Sequence, residues 1–275
     1  MTNKKIVFFD LDGTLMSHDK TILPSTKEAL HALRKKGIIT VICTGRAPRM
    51  FQELITELEF DSYISMNGQH VVYEGKELFS NPMDKEILTE LSKHAKERGH
   101  GITYSNSEVF AVNEAEHPLV AGSLGRLKLD YPSVDEAIYS HSPVHQIQLY
   151  GNVEDIQPYM DRYQNDYEFI RWDENAVDML PKGASKAVGI LKVMEHLNIT
   201  VENSYAFGDG PNDFEMIECV GTGIAMGNAI PELKEKADLV TDTCSNDGIM
   251  KGLLACGLLE EVDVPLYLKS LMYPS

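Results

Sequence analysis

The sequence predicts an α/β fold in which a doubly wound core, built on a parallel sheet, is interrupted by an inserted α+β domain. In both the early and the late parts of the 275-residue chain, short apolar runs alternate with helical patterns, which is typical of parallel βαβ units. Most of these apolar runs end in a polar turn, as expected where ligands bind at the carboxyl ends of strands. Between the two α/β parts, hairpin patterns are mixed with helices, which indicates a separate α+β unit.

The first predicted strand, residues 6–9, is apolar throughout and rich in β-branched and aromatic side chains. This composition is typical of a strand that is buried on both faces. The turn that follows contains Asp10 and Asp12, whose side chains are expected to point the same way because they are two residues apart on an extended segment. Two carboxylates held together repel each other unless a cation lies between them or one is protonated. The pair therefore indicates a metal site.

An Asp-x-Asp-Gly segment has two other interpretations, an acidic turn after a strand and a fragment of a calcium-binding loop. A calcium loop of the EF-hand type has further oxygen ligands at alternate positions and a late Glu, and it lies between two helices. The residues after Gly13 do not have that pattern. On these residues alone, the acidic turn remains an alternative.

The next elements continue the alternation of helix and strand. Residues 25–28 have the spacing of a capping box and precede a helical pattern that ends at Gly37. A second buried strand is predicted over residues 38–43, and the turn after it contains Thr44 and Gly45.

A helix is predicted over residues 48–58 and a third strand over residues 63–66, which closes at Asn67 and Gly68. Three polar turns are thus expected at one edge of the sheet, because parallel strands end on the same side.

After residue 68 the regular alternation of strand and helix stops, and hairpins mixed with helices and single strands are predicted instead. They are hairpins at 71–79 and 103–110, helices at 84–98 and 154–163, and strands at 144–150, 167–172 and 177–180. Residues 114–143 give no clear pattern. The core domain is therefore assigned to residues 1–82 and 184–275, and the inserted domain to residues 83–183.

The α/β alternation resumes with a helix that opens at residues 182–186 and a strand at residues 204–207. The turn after this strand contains Asp209, Asn212 and Asp213. The remaining predicted elements are helices at 214–219, 231–237 and 247–256 and strands at 223–226 and 239–240.

The charge balance limits the classes of partner. The chain has 42 acidic and 25 basic residues, and this excess of negative charge repels nucleic acids and anionic membrane surfaces. A small phosphorylated substrate is still compatible, because local basic groups and a divalent cation can reverse the field inside one pocket.

The four cysteines have neither CxxC spacing nor histidines at zinc-site spacing, so reduced thiols in a cytoplasmic protein are expected. We also expect no membrane span and no secretory leader, because no apolar run has the required length and the start of the chain leads directly into a strand.

Four of the polar turns carry chemically complementary groups, and their order resembles the haloacid dehalogenase superfamily of hydrolases. The four motifs of that superfamily match Asp-x-Asp-Gly-Thr at residues 10–14, a strand ending in Thr44, a helix-borne Lys186, and Gly-Asp-Gly-x-Asn-Asp at residues 208–213. The large insertion between the second and third motifs is similar to the α/β cap (type IIB) of the Cof-type phosphatase branch. One departure is Ala187, where that branch often has Gly.

The resemblance implies a Rossmann-like core with a substrate-selecting cap, and Mg²⁺-dependent hydrolysis of a small, sugar-phosphate-like monoester through an aspartyl-phosphate. It implies that Asp10 is the nucleophile and that Asp12 is the general acid and then the general base. The implied Mg²⁺ ligands are the side chains of Asp10 and Asp209 and the backbone carbonyl of Asp12.

The remaining candidate residues are suited to binding the phosphoryl group by hydrogen bonds or charge. They are the backbone N–H groups of Leu11 and Gly45, the hydroxyl of Thr44, the ammonium of Lys186 and the amide of Asn212. Asp213 is expected to orient Lys186 or a metal-bound water.

Two other functions use the same groups. A phosphomutase or phosphotransferase would form the same aspartyl-phosphate and pass it to a second acceptor. A non-catalytic, phosphate-sensing module similar to a response-regulator receiver is less compatible, because receivers place the accepting Asp on a later strand and have no acid at the position of Asp12.

Overall fold

The computed structural model describes residues 4–17 and 19–272. The chain divides into two compact units. The core unit contains the residues up to Gly45, then Glu53–Leu78, and the residues from Ser185 onward; the inserted unit contains Arg46–Gln52 and Phe79–Ala184.

The strands of both units are numbered in chain order. β1 to β14 are Ile6–Phe9, Ile39–Cys43, Tyr63–Ser65, His70–Tyr73, Lys76–Ser80, Gly101–Ser105, Phe110–Val112, Ser133–Val134, Gln146–Tyr150, Tyr167–Asp173, Ala176–Pro181, Ser204–Gly208, Thr222–Ala225 and Leu239–Val240.

The α-helices are numbered in the same way. α1 to α10 are Pro24–Lys35, Gln52–Glu57, Lys85–Arg98, Pro118–Arg126, Val153–Tyr163, Lys186–Leu197, Phe214–Glu218, Pro231–Lys236, Gly248–Ala255 and Leu266–Met272.

The first sheet has the strand order β14-β13-β12-β1-β2-β3-β4-β5. Its first six strands in that order pair in parallel, and β4 pairs antiparallel to β3. β1 lies in the middle, with Ile6 opposite both Ser204 and Ile39, and all four of its side chains are buried. The predicted α/β fold class, a parallel core sheet with an inserted α+β part, is confirmed.

One local prediction, the capping box at residues 25–28, is wrong. α1 begins at Pro24, directly after Leu23, and no side chain caps its N-terminus. A proline is favoured in the first turn of a helix because the N–H that it lacks would have no intrahelical partner there. Ser25 instead donates from Oγ to Asp247 Oδ1 at 2.6 Å, which ties the start of α1 to the residue before α9.

The inserted unit has its own sheet, with the strand order β10-β11-β9-β6-β7-β8. A hydrophobic cluster joins this sheet to α3 and α5 through residues that include Leu91, Tyr104, Ile147 and Tyr159. Within residues 114–143, which show no clear sequence pattern, the structure contains α4, the short strand β8 and a 3₁₀ turn over Ile138–Ser140.

Beyond the last predicted helix, the structure contains α10, which the sequence did not reveal. Across the described ranges, none of the helices combines the length and the apolar character that a membrane crossing requires.

Candidate active site

The candidate site lies at the carboxyl edge of the core unit's sheet. Asp10 follows β1, Thr44 follows β2 and Asp209 follows β12, and these three strands run in the same direction. Lys186 is the first residue of α6. The fold therefore brings side chains from distant parts of the sequence to one edge.

Lys186 links two of these turns through its ammonium group. Its Nζ lies 2.5 Å from Asp10 Oδ1 and 2.6 Å from Asp213 Oδ1, and its side chain has no solvent exposure. A buried charge is costly unless it is paired and hydrogen-bonded, and here two carboxylates pair with one ammonium. The three groups thus form one buried ionic cluster.

The electrostatics of this cluster favour further positive charge. Burial by itself lowers the pKa of Lys186, but Asp10 and Asp213 outweigh it and raise that pKa above its usual value. Burial is also the main reason why the pKa of Asp10 lies well above its usual value; Lys186 opposes this, while nearby aspartates raise it further. The lysine therefore stays protonated, and a further cation beside Asp10 would favour the carboxylate form of that residue.

Asp10, Asp209 and Asp213 form a group suited to a divalent metal ion, with carboxylate oxygens that all lie within 4.8 Å of one another. Carboxylate oxygens are ligands that hard divalent cations prefer. Asp213 is already engaged, because Oδ1 accepts from Lys186 and Oδ2 accepts the backbone N–H groups of Asp209 and Gly210 at 2.8 and 2.9 Å. Asp10 and Asp209 are consequently the better ligand candidates.

The carboxylate of Asp209 is held in place by three neighbours. Thr14 donates to its Oδ1 at 3.0 Å, and Asn228 Nδ2 lies 3.4 Å from its Oδ2. Gly13 has φ = +83°, and a Cβ there would lie 2.2 Å from Asp209 Oδ2. Only glycine combines that backbone conformation with so close an approach.

Asp12 is more accessible than Asp10, with a side-chain exposure of 37%, against 9% for Asp10. Its Oδ1 accepts a hydrogen bond from Lys20 Nζ at 2.5 Å. An acid that exchanges protons with a leaving group and with water must reach both, and this exposure is compatible with that role.

The other sequence-predicted residues lie on the same turns. Thr44 is buried, and its backbone N–H donates to Ile64 O at 2.9 Å. Leu11 is fully buried in the core between the two aspartates of its turn. Asn212 Nδ2 donates to Asn67 Oδ1 at 2.9 Å, and Gly45 lies beside the same Asn67 amide.

The turn after β3 packs against the start of α6 at Gly68. Gly68 has φ = +89°, and a Cβ there would lie 2.1 Å from Ser185 O, next to Lys186. Gly68→Ala is therefore expected to lower the free energy of unfolding by about 2–3 kcal/mol, through backbone strain and overpacking. Urea unfolding measures this loss.

Gly37→Ala is the matched control, because Gly37 has φ = +71° and nothing within 4 Å of a built Cβ. It should lower stability by only about 1 kcal/mol, the cost of the backbone conformation alone. Equal losses in the two variants would contradict the close contact at Ser185.

The sequence patterns assign no role to four residues that contact the site: Thr14, Lys20, Asn67 and Asn228. Thr14 belongs to the first motif and Asn67 to a polar turn, so the sequence position of each residue indicated that it lies near the site. Asn228 lies in a segment, residues 225–229, that resembles the Cof-type branch, whereas Lys20 reaches the site only through a contact that the local pattern does not reveal.

Comparison with known proteins supports a family assignment. The sequence model of the haloacid dehalogenase-like hydrolases matches residues 7–253. A putative phosphatase of Bacillus subtilis, YkrA, is 40% identical over 258 residues, which cover 94% of this chain and 100% of that protein.

Solved structures show the same similarity. A crystal structure of a hypothetical protein from Geobacillus kaustophilus has a TM-score of 0.89 and 41% sequence identity, covering 93% of this chain and 100% of that one. BT4131, a sugar phosphatase of HAD subclass IIB, has a TM-score of 0.81 and 29% identity, also covering 93% of this chain and 100% of that one.

Proposed function

The chain belongs to the haloacid dehalogenase-like hydrolase family and is a phosphatase of small phosphorylated substrates, and we propose that it cleaves a sugar-phosphate-like monoester with Mg²⁺ through an aspartyl-phosphate. One observation carries this proposal. Lys186 is buried between Asp10 and Asp213, while the carboxylate of Asp209 lies within 4.8 Å of both aspartates. This arrangement supports the assignment of Asp10 as the nucleophile, Lys186 as a fixed cation and Asp209 as a metal ligand.

In the proposed first step, Asp10 is the nucleophile. One of its carboxylate oxygens bonds to phosphorus as the bond from phosphorus to the leaving oxygen breaks, and that oxygen takes a proton from Asp12. In the second step Asp12 accepts a proton from water, and the water oxygen bonds to phosphorus as the bond to Asp10 breaks. Inorganic phosphate leaves, and both side chains return to their starting states.

Lys186 supports this chemistry because it stays charged inside the site. Its ammonium stabilises the carboxylate form of Asp10 and offers positive charge to the phosphoryl oxygens. Asp213 orients Lys186 and also fixes the turn after β12 through two backbone N–H groups. We assign the neutral contacts with the phosphoryl group to Leu11 N–H, Gly45 N–H, the Thr44 hydroxyl and the Asn212 amide.

Mg²⁺ fits the ligands that this site offers. Asp10 and Asp209 would hold it through their carboxylates, together with the backbone carbonyl of Asp12. When bound, the ion supplies positive charge that offsets the repulsion between the attacking carboxylate and the phosphoryl group. Thr14 and Asn228 contribute by fixing the Asp209 carboxylate before any ligand binds.

Mg²⁺ is expected to stabilise the folded protein and to be required for turnover. At 100 times its Kd, a ligand that binds only the folded state adds about 2.7 kcal/mol, which corresponds to a rise in Tm of roughly 5–10 °C. Scanning calorimetry measures the shift, and release of phosphate from p-nitrophenyl phosphate, with EDTA and then with excess Mg²⁺, measures the requirement.

Asp209→Asn should remove most of this thermal shift, because it replaces a carboxylate ligand by a neutral amide. Asp61→Asn is the matched control, since Asp61 lies before β3 at the opposite edge of the sheet. Full activity in EDTA would contradict the proposed metal requirement, and an unchanged shift in Asp209→Asn would contradict the proposed ligand.

Substrate choice is proposed to belong to a cap domain, residues 83–183, which is inserted into a core of residues 1–82 and 184–275. The similarity to a subclass IIB sugar phosphatase supports this assignment. A panel of phosphorylated sugars and polyols, assayed for phosphate release, tests the proposed sugar-phosphate-like substrate class. A preference for phosphorylated amino acids or peptides over every sugar ester would contradict that substrate class.

A further inference from the structure

The turn after β3 is strained at the edge where the candidate site lies. Met66, Asn67 and Gly68 have φ values of +50°, +51° and +89°. Left-handed backbone is unfavourable for a non-glycine residue, and especially for one as bulky as methionine. Such strain persists where the surrounding structure enforces it, and it is common at functional sites.

Asn67 joins two of the turns to which phosphate-binding residues were assigned. Its backbone N–H donates to Thr44 O at 3.1 Å, and its Oδ1 accepts from Asn212 Nδ2 at 2.9 Å. A Cβ built on Gly45 would lie 3.1 Å from both Oδ1 and Nδ2 of Asn67, so the amide rests directly on that glycine. Asn67 therefore contacts Thr44, Gly45 and Asn212 together.

The amide nitrogen of Asn67 has unused hydrogen-bonding capacity. Asn67 is 1% exposed, and its Nδ2 has no hydrogen-bond partner within residues 4–17 and 19–272. Turning this amide alone would set its NH₂ group against that of Asn212, so the hydrogen bond with Asn212 opposes such a turn. A buried amide donor without a partner destabilises a protein by about 1–3 kcal/mol. A ligand that accepts this hydrogen bond removes that cost.

We propose that Asn67 is a further phosphate-binding residue, whose Nδ2 donates to a phosphoryl oxygen of the substrate while its Oδ1 holds Asn212. The inference rests on the proposed function, because it requires a phosphoryl group beside Thr44 and Gly45. A neutral donor suits this position, since it binds an oxyanion without adding charge next to Lys186 and the metal ligands. It also explains the glycine at position 45, where a side chain would push the Asn67 amide away.

Asn67→Gly and Asn67→Asp test the proposal in the full chain with Mg²⁺ present. Glycine keeps the left-handed backbone and the N–H bond to Thr44 but removes the amide. Aspartate keeps an acceptor for Asn212 but replaces the donor by a negative charge. We expect the inhibition constant for inorganic phosphate to rise about 10-fold in Asn67→Gly and about 100-fold in Asn67→Asp.

Asn198→Gly is the matched control, because Asn198 has φ = +52°, is exposed and lies at the end of α6. It should leave the phosphate constant unchanged. If Asn67→Asp binds phosphate as tightly as the wild type, the proposed donor is wrong, while the proposed function stands. If the wild type neither binds phosphate nor hydrolyses any phosphate ester, both proposals are wrong.

A double variant separates direct binding from an effect through Asn212. If Nδ2 of Asn67 contacts the phosphoryl group, Asn67→Gly should still weaken phosphate binding about 10-fold when it is added to Asn212→Ala. If Asn67 acts only by orienting Asn212, the double variant will bind phosphate as Asn212→Ala does. The second result would overturn the proposal.

Discussion

Asp10→Asn is expected to lower kcat about 10⁴-fold while leaving the protein folded. The amide cannot form the proposed bond to phosphorus, but it has almost the same size as the carboxylate and still offers an oxygen to Lys186. Stability should change little, because Lys186 keeps its second partner, Asp213, at 2.6 Å. Phosphate release from p-nitrophenyl phosphate measures the activity, and scanning calorimetry measures the fold.

The raised pKa of Asp10 predicts whether Asp10→Asn raises or lowers the free energy of unfolding. In the absence of metal, burial raises this pKa above its value in the unfolded chain. A carboxyl group with a raised pKa favours folding when protonated at low pH, and that contribution is lost as the pH rises through the folded-state pKa. Removing the charge should therefore leave the metal-free variant at least as stable as the wild type at neutral pH.

Asp61→Asn again serves as the control for the loss of one negative charge, and it should retain wild-type kcat. The assignment of the nucleophile would be wrong if Asp10→Asn kept more than a few per cent of the activity. Trapping of phosphoenzyme by acid quench from the wild type, but not from the variant, provides an independent readout.

Lys186→Met is expected to destabilise the protein by about 3–5 kcal/mol at neutral pH and to lower kcat about 10³-fold. Methionine fills much of the volume of the lysine side chain but leaves Asp10 and Asp213 buried without their shared ammonium. Breaking a buried ion pair costs more than the pair itself contributes, because the remaining charges stay unpaired. Urea unfolding of the metal-free protein measures the loss.

The loss in Lys186→Met should be smaller at pH 5 than at pH 7.5. The pKa of Asp10 is already raised by burial, and without the ammonium that opposes this effect it will rise further. Protonation at the lower pH then neutralises the unpaired carboxyl group. A stability loss that is independent of pH would contradict this account.

Adding Asp213→Asn to Lys186→Met should recover part of the stability but none of the activity. Asparagine removes one unpaired charge and keeps one oxygen for the backbone N–H groups of Asp209 and Gly210. Recovery of turnover in this double variant would show that Lys186 acts only on stability.

The sequence predicted the core because its strands are continuous apolar runs whose burial decides their structure. Residues 6–9 are a clear case, since all four side chains are buried in the middle of the sheet. The start of α1 was predicted wrongly because Ser25 makes a long-range bond to Asp247 rather than a local cap. The helix α10 was not predicted, because the local sequence pattern of its residues could not be distinguished from that of an irregular tail.

At the site, the motif residues could be located because parallel strands deliver their final turns to one edge. The distances between them could not be predicted, since Lys186 and Asp10 are 176 positions apart in sequence. The role that we propose for Asn67 could not be predicted for the same reason. Its partners Thr44 and Asn212 lie on turns that meet only after the sheet has formed.

The central position of β1 also affects how the protein is made. β2 follows β1 closely in sequence and can pair with one edge of β1 once both have left the ribosome, but the partner of its other edge, β12, is synthesised about two hundred residues later. At ordinary rates of translation that delay is roughly 10–40 s. The part of the sheet that precedes Asp10 and Thr44 therefore has an unpaired edge on β1 until β12 has been synthesised. Asp209 follows β12, so the nascent chain lacks this site residue, and is expected to be inactive, until then.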